Sequence, residues 1–210
     1  MSMFSVLILA AAVQAEPPVE AAPAPQLVVA YTTRAPAGFV AATAGKAGFA
    51  MLGAAAMIAD GERITAVNGI SDPAGAMSKA LAEHFAETHS AAVREAPLAV
   101  KGGKPVQIAT AAGEARYVVD VQTLGWGFSY FPMDWSHFAV GYRAKLRVVD
   151  VQTKKSLAED ICAWDSGKNN APTQAELLSD GARGLKERIA TASDTCLQQF
   201  RAKIDALPSA

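Results

Sequence analysis

Charge of one sign is what this chain most lacks. Its 19 Lys and Arg stand against 20 Asp and Glu, a net charge of −1, and neither sign gathers in a tail. That balance excludes the electrostatic footprint needed for nucleic acid, and it does not favour an anionic membrane surface either. Histidine is scarce too: His84, His89 and His137 are the whole supply. His84 and His89 lie five apart on one predicted helix, whereas two metal ligands on a helix face need a spacing of three or four. Two cysteines, Cys162 and Cys196, are too few for a four-ligand centre. Gly45-Lys46 is followed by Ala47, not by the Ser or Thr of a phosphate loop, and Gly38 lies too far upstream. No dinucleotide fingerprint, zinc-binding helix or haem motif is present. The expectation is a protein without metal or cofactor.

Long apolar runs are missing as well, since none reaches the roughly 20 residues of a bilayer-spanning helix. The apolar stretch Met3–Val13 is instead read as the core of a secretory signal, with Val13-Gln14-Ala15 as a cleavage site. No cysteine lies near its end, so lipid anchoring at that point is excluded. Residues 1–15 are thus predicted as a signal peptide. Residues 16–25, rich in Pro and Ala, read as a flexible tether, and 26–210 as one domain. Export to the periplasm would place Cys162 and Cys196 in an oxidising compartment, where an even number of cysteines reads as a disulfide.

Within the domain, Gln26–Thr32 is a short β-branched run and a predicted strand. The Ala- and Gly-rich segment Ala47–Ala59, closed by Asp60-Gly61, has three readings. A buried helix is favoured over an interfacial helix, and both over a membrane span from Gly38 to Ala59. Asp72-Pro73 signals the start of a helix that buries Met77, Leu81, Phe85 and Thr88 and exposes Lys79, Glu83 and Glu87. Pro97–Ile108 reads as a short strand and turn.

Tyr117–Val121 and Phe138–Val151 are the clearest strands. Phe138, Val140, Tyr142, Ala144, Leu146 and Val148 alternate with Arg143, Lys145 and Arg147, which puts the apolar set on a core and the basic set toward solvent. Leu157–Trp164 returns as a hairpin partner, and its parity sets Cys162 opposite Leu157 and Ile161. The hexapeptide Val-Val-Asp-Val-Gln-Thr occurs twice, at 118–123 and 148–153. Thr173 and Glu176 fit a capping box opening a long C-terminal helix, in which Gly181, Gly184 and Ser193-Asp194 speak against an unbroken rod and leave a kink or two helices as the readings. The fold class is therefore α/β: a mainly antiparallel sheet covered on one face by helices.

Seven of the fifteen aromatic residues fall between Trp126 and Tyr142. As structure, they make a hairpin ended by Pro132. As function, Trp126, Tyr130 and Trp135 offer a contact surface for a glycan or a peptide, beside the basic stripe Arg143, Lys145 and Arg147. Asp134 and His137 are the only acid–base candidates, and adjacent residues on one turn rarely converge as a triad does. No catalytic residue is assigned.

The run Leu124-Gly-Trp-Gly-Phe-Ser-Tyr-Phe-Pro-Met-Asp-Trp135, the strand Tyr142–Asp150, the hairpin into Cys162, Gly45-Lys46-Ala47-Gly48 and Asp72-Pro73-Ala74 carry a resemblance. Together they resemble uncharacterised proteobacterial envelope proteins. More distantly the chain is similar to the α/β domains of penicillin-binding-protein activator and curli-assembly lipoproteins. The resemblance implies no activity. It points to a non-catalytic binding or assembly module whose partner is an envelope protein or glycan. The alternatives are an enzyme on an envelope polymer and a membrane-associated factor using Ala47–Ala59.

Overall fold

The computed structural model describes residues 27–43 and 50–208. The expected signal and tether, and the Gly45–Gly48 segment, lie outside the described residues. One seven-stranded sheet organises the rest. Its strands are β1 (Val28–Thr33), β2 (Phe39–Ala42), β3 (Ala92–Val93), β4 (Leu98–Ala99), β5 (Tyr117–Phe131), β6 (Asp134–Asp150) and β7 (Lys155–Asp165). Five of them run in the order β3-β1-β5-β6-β7, while β4 pairs with β1 and β2 with β5. The long ladders β5–β6 and β6–β7 are antiparallel. The short ladders at β1 and β2 are parallel. The sheet is mainly antiparallel, as its alternating sequences predict.

Alternation decides which side chains meet. Val119, Val121, Leu146 and Val148 point to one face, where α2 (Ala74–Thr88) and α4 (Gln174–Asp205) close over them. Val118 and Val149 point to the other, where the short α3 (Pro105–Ala111) adds Ile108 and Ala109. Helices α2 and α4 cover one face as expected, and α3 is an addition on the second. On α2, Met77, Leu81 and Phe85 are buried, whereas Thr88 is exposed. The Thr88 hydroxyl donates to the Phe85 carbonyl instead, which a polar helix-end residue does readily.

The two copies of Val-Val-Asp lie side by side, with Val118 opposite Val149 and Val119 opposite Val148. Each aspartate meets an arginine: Asp120 faces Arg147 across the ladder, and both Arg116 Nη atoms hold Asp150. The Arg116 hydrogen bond keeps the Asp150 carboxyl below the usual carboxylate range against the opposing effect of burial.

Helix α1 (Ala50–Asn68) departs from expectation twice. It runs through Asp60-Gly61 instead of ending there. A Cβ on Gly61 would sit 1.8 Å from the Phe39 carbonyl oxygen, so the glycine is the point where α1 lies against β2. Nor is α1 a buried helix: Ala54, Ala55, Ala56, Ile58 and Ala59 are exposed. Contact with β2 buries only a narrow stripe, and small side chains leave the rest of the surface open. No helix among the described residues is long and apolar enough to cross a membrane.

The capping box of α4 is formed. Thr173 Oγ1 accepts from the Glu176 N–H at 3.3 Å, and Glu176 Oε2 accepts from the Thr173 N–H at 2.7 Å. The expected kink is there, at Ser179–Ala182, with Asp180, Gly181 and Ala182 at φ of 50°, 66° and 59°. Beyond it, Leu185, Ile189, Phe200 and Ile204 return to the core. Cys196 joins Cys162 in a disulfide, with Cα atoms 5.4 Å apart. The parity of β7 holds, with Cys162 on the face opposite Leu157 and Ile161: Cys162 and Ala158 are its inward residues. Leu157 and Ile161 are each 44% exposed. Pairing with Ala144 turns Cys162 inward, toward α4.

Candidate functional site

The aromatic run is a hairpin, as expected, but its rings divide. Trp126 lies opposite Tyr142 and only 5% of it is exposed. Its Nε1–H donates to the Ala37 carbonyl at 2.7 Å, and its ring meets Phe39 edge-on at 5.0 Å. Trp126 is thus not an exposed ring. Parity carried the signal, since Trp126 and Phe128 share the face of their partners Tyr142 and Val140. Tyr130 has the same parity and is half-buried against the core. Trp135 alone stands out, 68% exposed beside Met133 at 92%, on the tip that joins β5 to β6.

That tip is braced. His137 Nδ1 and Asp134 Oδ2 are 2.7 Å apart, the Ser136 N–H donates to Asp134 Oδ1, and His137 bridges to Thr173 beside α4. Desolvation, the largest single influence on the Asp134 carboxyl, pushes its pKa up; the hydrogen bonds from His137 and Ser136 outweigh it and hold the group below the usual range. The pair is half exposed and lines neither of the two cavities described below.

The basic stripe also divides. Arg143 is exposed beside a shallow trough of about 380 Å³ floored by Gly125, Gly127 and Gly141. Lys145 pairs with Glu159 at 2.5 Å. That hydrogen bond, seconded by one from Ser156, holds the Glu159 carboxyl below its ordinary range. Arg147 is not on a solvated face. It is 8% exposed and donates to Asp120 Oδ2 at 2.9 Å. Fully buried Asp120 also accepts from Thr32 Oγ1 at 2.7 Å and from Arg34 Nε and Nη2 at 3.0 and 2.6 Å. Arg34 Nη1 reaches on to the Gly102 carbonyl at 2.7 Å, tying down the Lys101–Lys104 loop. The alternating pattern gave the side of the sheet on which Arg147 lies. It carried no sign of the loop that covers it.

A larger cavity of about 790 Å³ opens where β1 stops and β2 has not begun. Arg34, Lys101, Glu62 and Asp72 all line it, with Trp126 and Ile70 among its apolar walls. Neither Glu62 nor Lys101 carries a motif, and neither the helix-start signal of Asp72 nor the repeated hexapeptide of Asp120 names a ligand. The site depends on pairing between segments far apart in sequence.

No protein-family model matches the chain, and no curated protein does. Solved structures similar to it include a hypothetical protein from Chlamydia trachomatis, at 9% identity and a TM-score of 0.43 over 85% of this chain and 98% of that one. A lipoprotein from Neisseria meningitidis is 16% identical, with a TM-score of 0.31 over 84% of this chain and 99% of its own. A Xanthomonas campestris protein of the DUF330 family is 8% identical, with a TM-score of 0.39 over 85% and 84%.

Proposed function

We propose that this chain is an exported, non-catalytic binding or assembly module of the bacterial cell envelope, built as one domain and acting through protein contacts. The observation that carries the proposal is the exposed pair Trp135 and Met133 on a braced hairpin tip. Tryptophan dominates binding energy at protein interfaces, and a rigid support spares the entropy of ordering it on contact. The Cys162–Cys196 disulfide supports export, because such bonds persist in oxidising compartments. The resemblance to envelope proteins supports the same setting. Truncating a central tryptophan typically costs about 2 kcal/mol or more, roughly 30-fold in affinity. Trp135→Ala is accordingly expected to keep the wild-type circular dichroism and to lose partners co-purified from the envelope fraction. An unchanged set of partners sinks the proposal.

For an enzyme on an envelope polymer, Asp134 and His137 are in contact, but they line neither of the two cavities described. A second reading has one observation in its favour, the open surface of α1 around Ile58. On that reading the chain self-associates or floats with phosphatidylethanolamine–phosphatidylglycerol vesicles, and Ile58→Glu abolishes both. A monomer by analytical ultracentrifugation that stays off vesicles excludes it.

A further inference from the structure

We propose that the cavity between β1 and β2 is a binding site for a small zwitterion, a free amino acid or short peptide. Asp72 and Glu62 would take its ammonium group and Lys101 its carboxylate.

The cavity exists because two strands share one long neighbour without meeting. β5 is 15 residues long; β1 pairs with it as far as Tyr31–Val119, and β2 takes over only at Phe39–Trp126. Between them the edge of β5 has no strand beside it, and the Val121 N–H is met by buried Ser78 Oγ of α2 at 2.9 Å. The connector Arg34–Gly38 lines the opening without filling it, and about 790 Å³ remains. That volume lies within the roughly 300–1,000 Å³ of ordinary small-molecule sites, and a break in strand pairing beyond the carboxyl end of a parallel strand is where such crevices form.

Asp72 is fixed before any ligand arrives. Its Oδ1 accepts from Thr123 Oγ1 at 2.5 Å and from the Ala74 N–H at 3.0 Å. Because Thr123 gives its proton to Asp72, the contact between Thr123 Oγ1 and Tyr142 Oη, 3.0 Å long, is donated by Tyr142. Burial pushes the Tyr142 hydroxyl far above its ordinary range, so it keeps that proton. The chain from Tyr142 through Thr123 thus orients the carboxylate and leaves Oδ2 as its remaining acceptor. The start of α2 offsets part of the Asp72 charge. Glu62 adds a whole one on the same cavity.

Lys101 brings the opposite charge to the same cavity. Val100 donates its N–H to the Thr33 carbonyl at 3.1 Å, which sets Lys101 next to the end of β1. There Arg34, which also lines the cavity, shares the single carboxylate of Asp120 with Arg147, so this cluster keeps an excess of positive charge. Arg34 has spent its nitrogens on Asp120 and Gly102, which leaves Lys101 as the group that can reach a ligand. Lys101 and Glu62 line one cavity, yet neither has an ion-pair partner among the described residues. A simple anion would satisfy Lys101 and meet two carboxylates. A simple amine would satisfy those and meet Lys101. A zwitterion answers both, and Trp126 and Ile70 give its carbon skeleton an apolar wall.

The test is calorimetric titration of the full chain with L-alanyl-L-alanine, alanine, ethylamine and acetate. Saturable binding of the dipeptide or the amino acid is expected, with ethylamine and acetate at least about tenfold weaker, the value of one charge-assisted hydrogen bond. Lys101→Ala and Asp72→Asn should each weaken binding by about tenfold or more. Lys101 is exposed and outside every helix and strand, so its variant reports even if Asp72→Asn loosens α2. No saturable heat with either zwitterion overturns the proposal. Acetate or ethylamine binding as tightly as the dipeptide also overturns it, by showing a one-charge site. Trp135→Ala should leave this binding unchanged, which separates the cavity from the hairpin tip.

Discussion

Asp120→Ala is expected to lower the free energy of unfolding by about 3–5 kcal/mol, the usual cost of removing one partner from a buried ion pair. The reason is what remains. Asp120 is wholly buried and is the shared counter-ion of two guanidiniums, Arg34 and Arg147, that are themselves nearly out of water. Without it, two like charges face each other across a space with no counter-ion, and the Thr32 hydroxyl loses its acceptor. Asp120→Asn should cost nearly as much, since it keeps the shape and removes the charge. Equilibrium urea unfolding reads both. A loss below about 1 kcal/mol for each variant, the range of an exposed pair, would mean that water reaches these arginines. The damage should also spread along the Arg34–Gly102 hydrogen bond, so amide exchange in the Lys101–Lys104 loop should speed up.

Reduction of Cys162–Cys196 is the second large effect. The two residues are 34 apart, and in the chain-entropy model closing a loop of that size stabilises the fold by roughly 4 kcal/mol. Both cysteines are buried between β7 and α4, so replacing them by alanine keeps the site apolar and isolates the cross-link. The double alanine variant should unfold at a clearly lower denaturant concentration than the oxidised wild type, with little further change on adding reductant. Mass spectrometry of the untreated protein should find no free thiol. Two thiols would refute the bond, and an unchanged midpoint would show that α4 holds its place through Leu185, Ile189, Phe200 and Ile204 alone.

Much of this architecture was legible because it is local. Strict alternation from Phe138 to Val148 fixes the two faces of β6, and Thr173 with Glu176 announces α4 within four residues. The even number of cysteines, with export expected, pointed to the Cys162–Cys196 bond. What failed to show depends on contacts between distant segments. β2 is four residues hidden in an Ala/Gly-rich stretch, too short for a period to declare itself. Alanine does not say whether a helix is buried, so α1 read as core although most of its side chains meet water. The basic stripe was assigned to solvent because periodicity names a side and not its cover. Arg147 is covered by the Lys101–Lys104 loop, and its carboxylate comes from β5. The cavity has no local signal whatever, being the gap left by two strands that stop short of each other.

The reach of β1 has a consequence for how the chain assembles. Thr32 is bonded to Asp120 across 88 residues, while β5, β6 and β7 follow one another through short turns. Contacts between near neighbours close at small entropic cost, and distant ones wait. On that ground the meander is expected to form first and β1 to join it late, although β1 is the first of the two to leave a ribosome. Until Tyr117 emerges, β1 has no mate on β5, and the N–H and C=O groups along that edge are open to whatever they meet first.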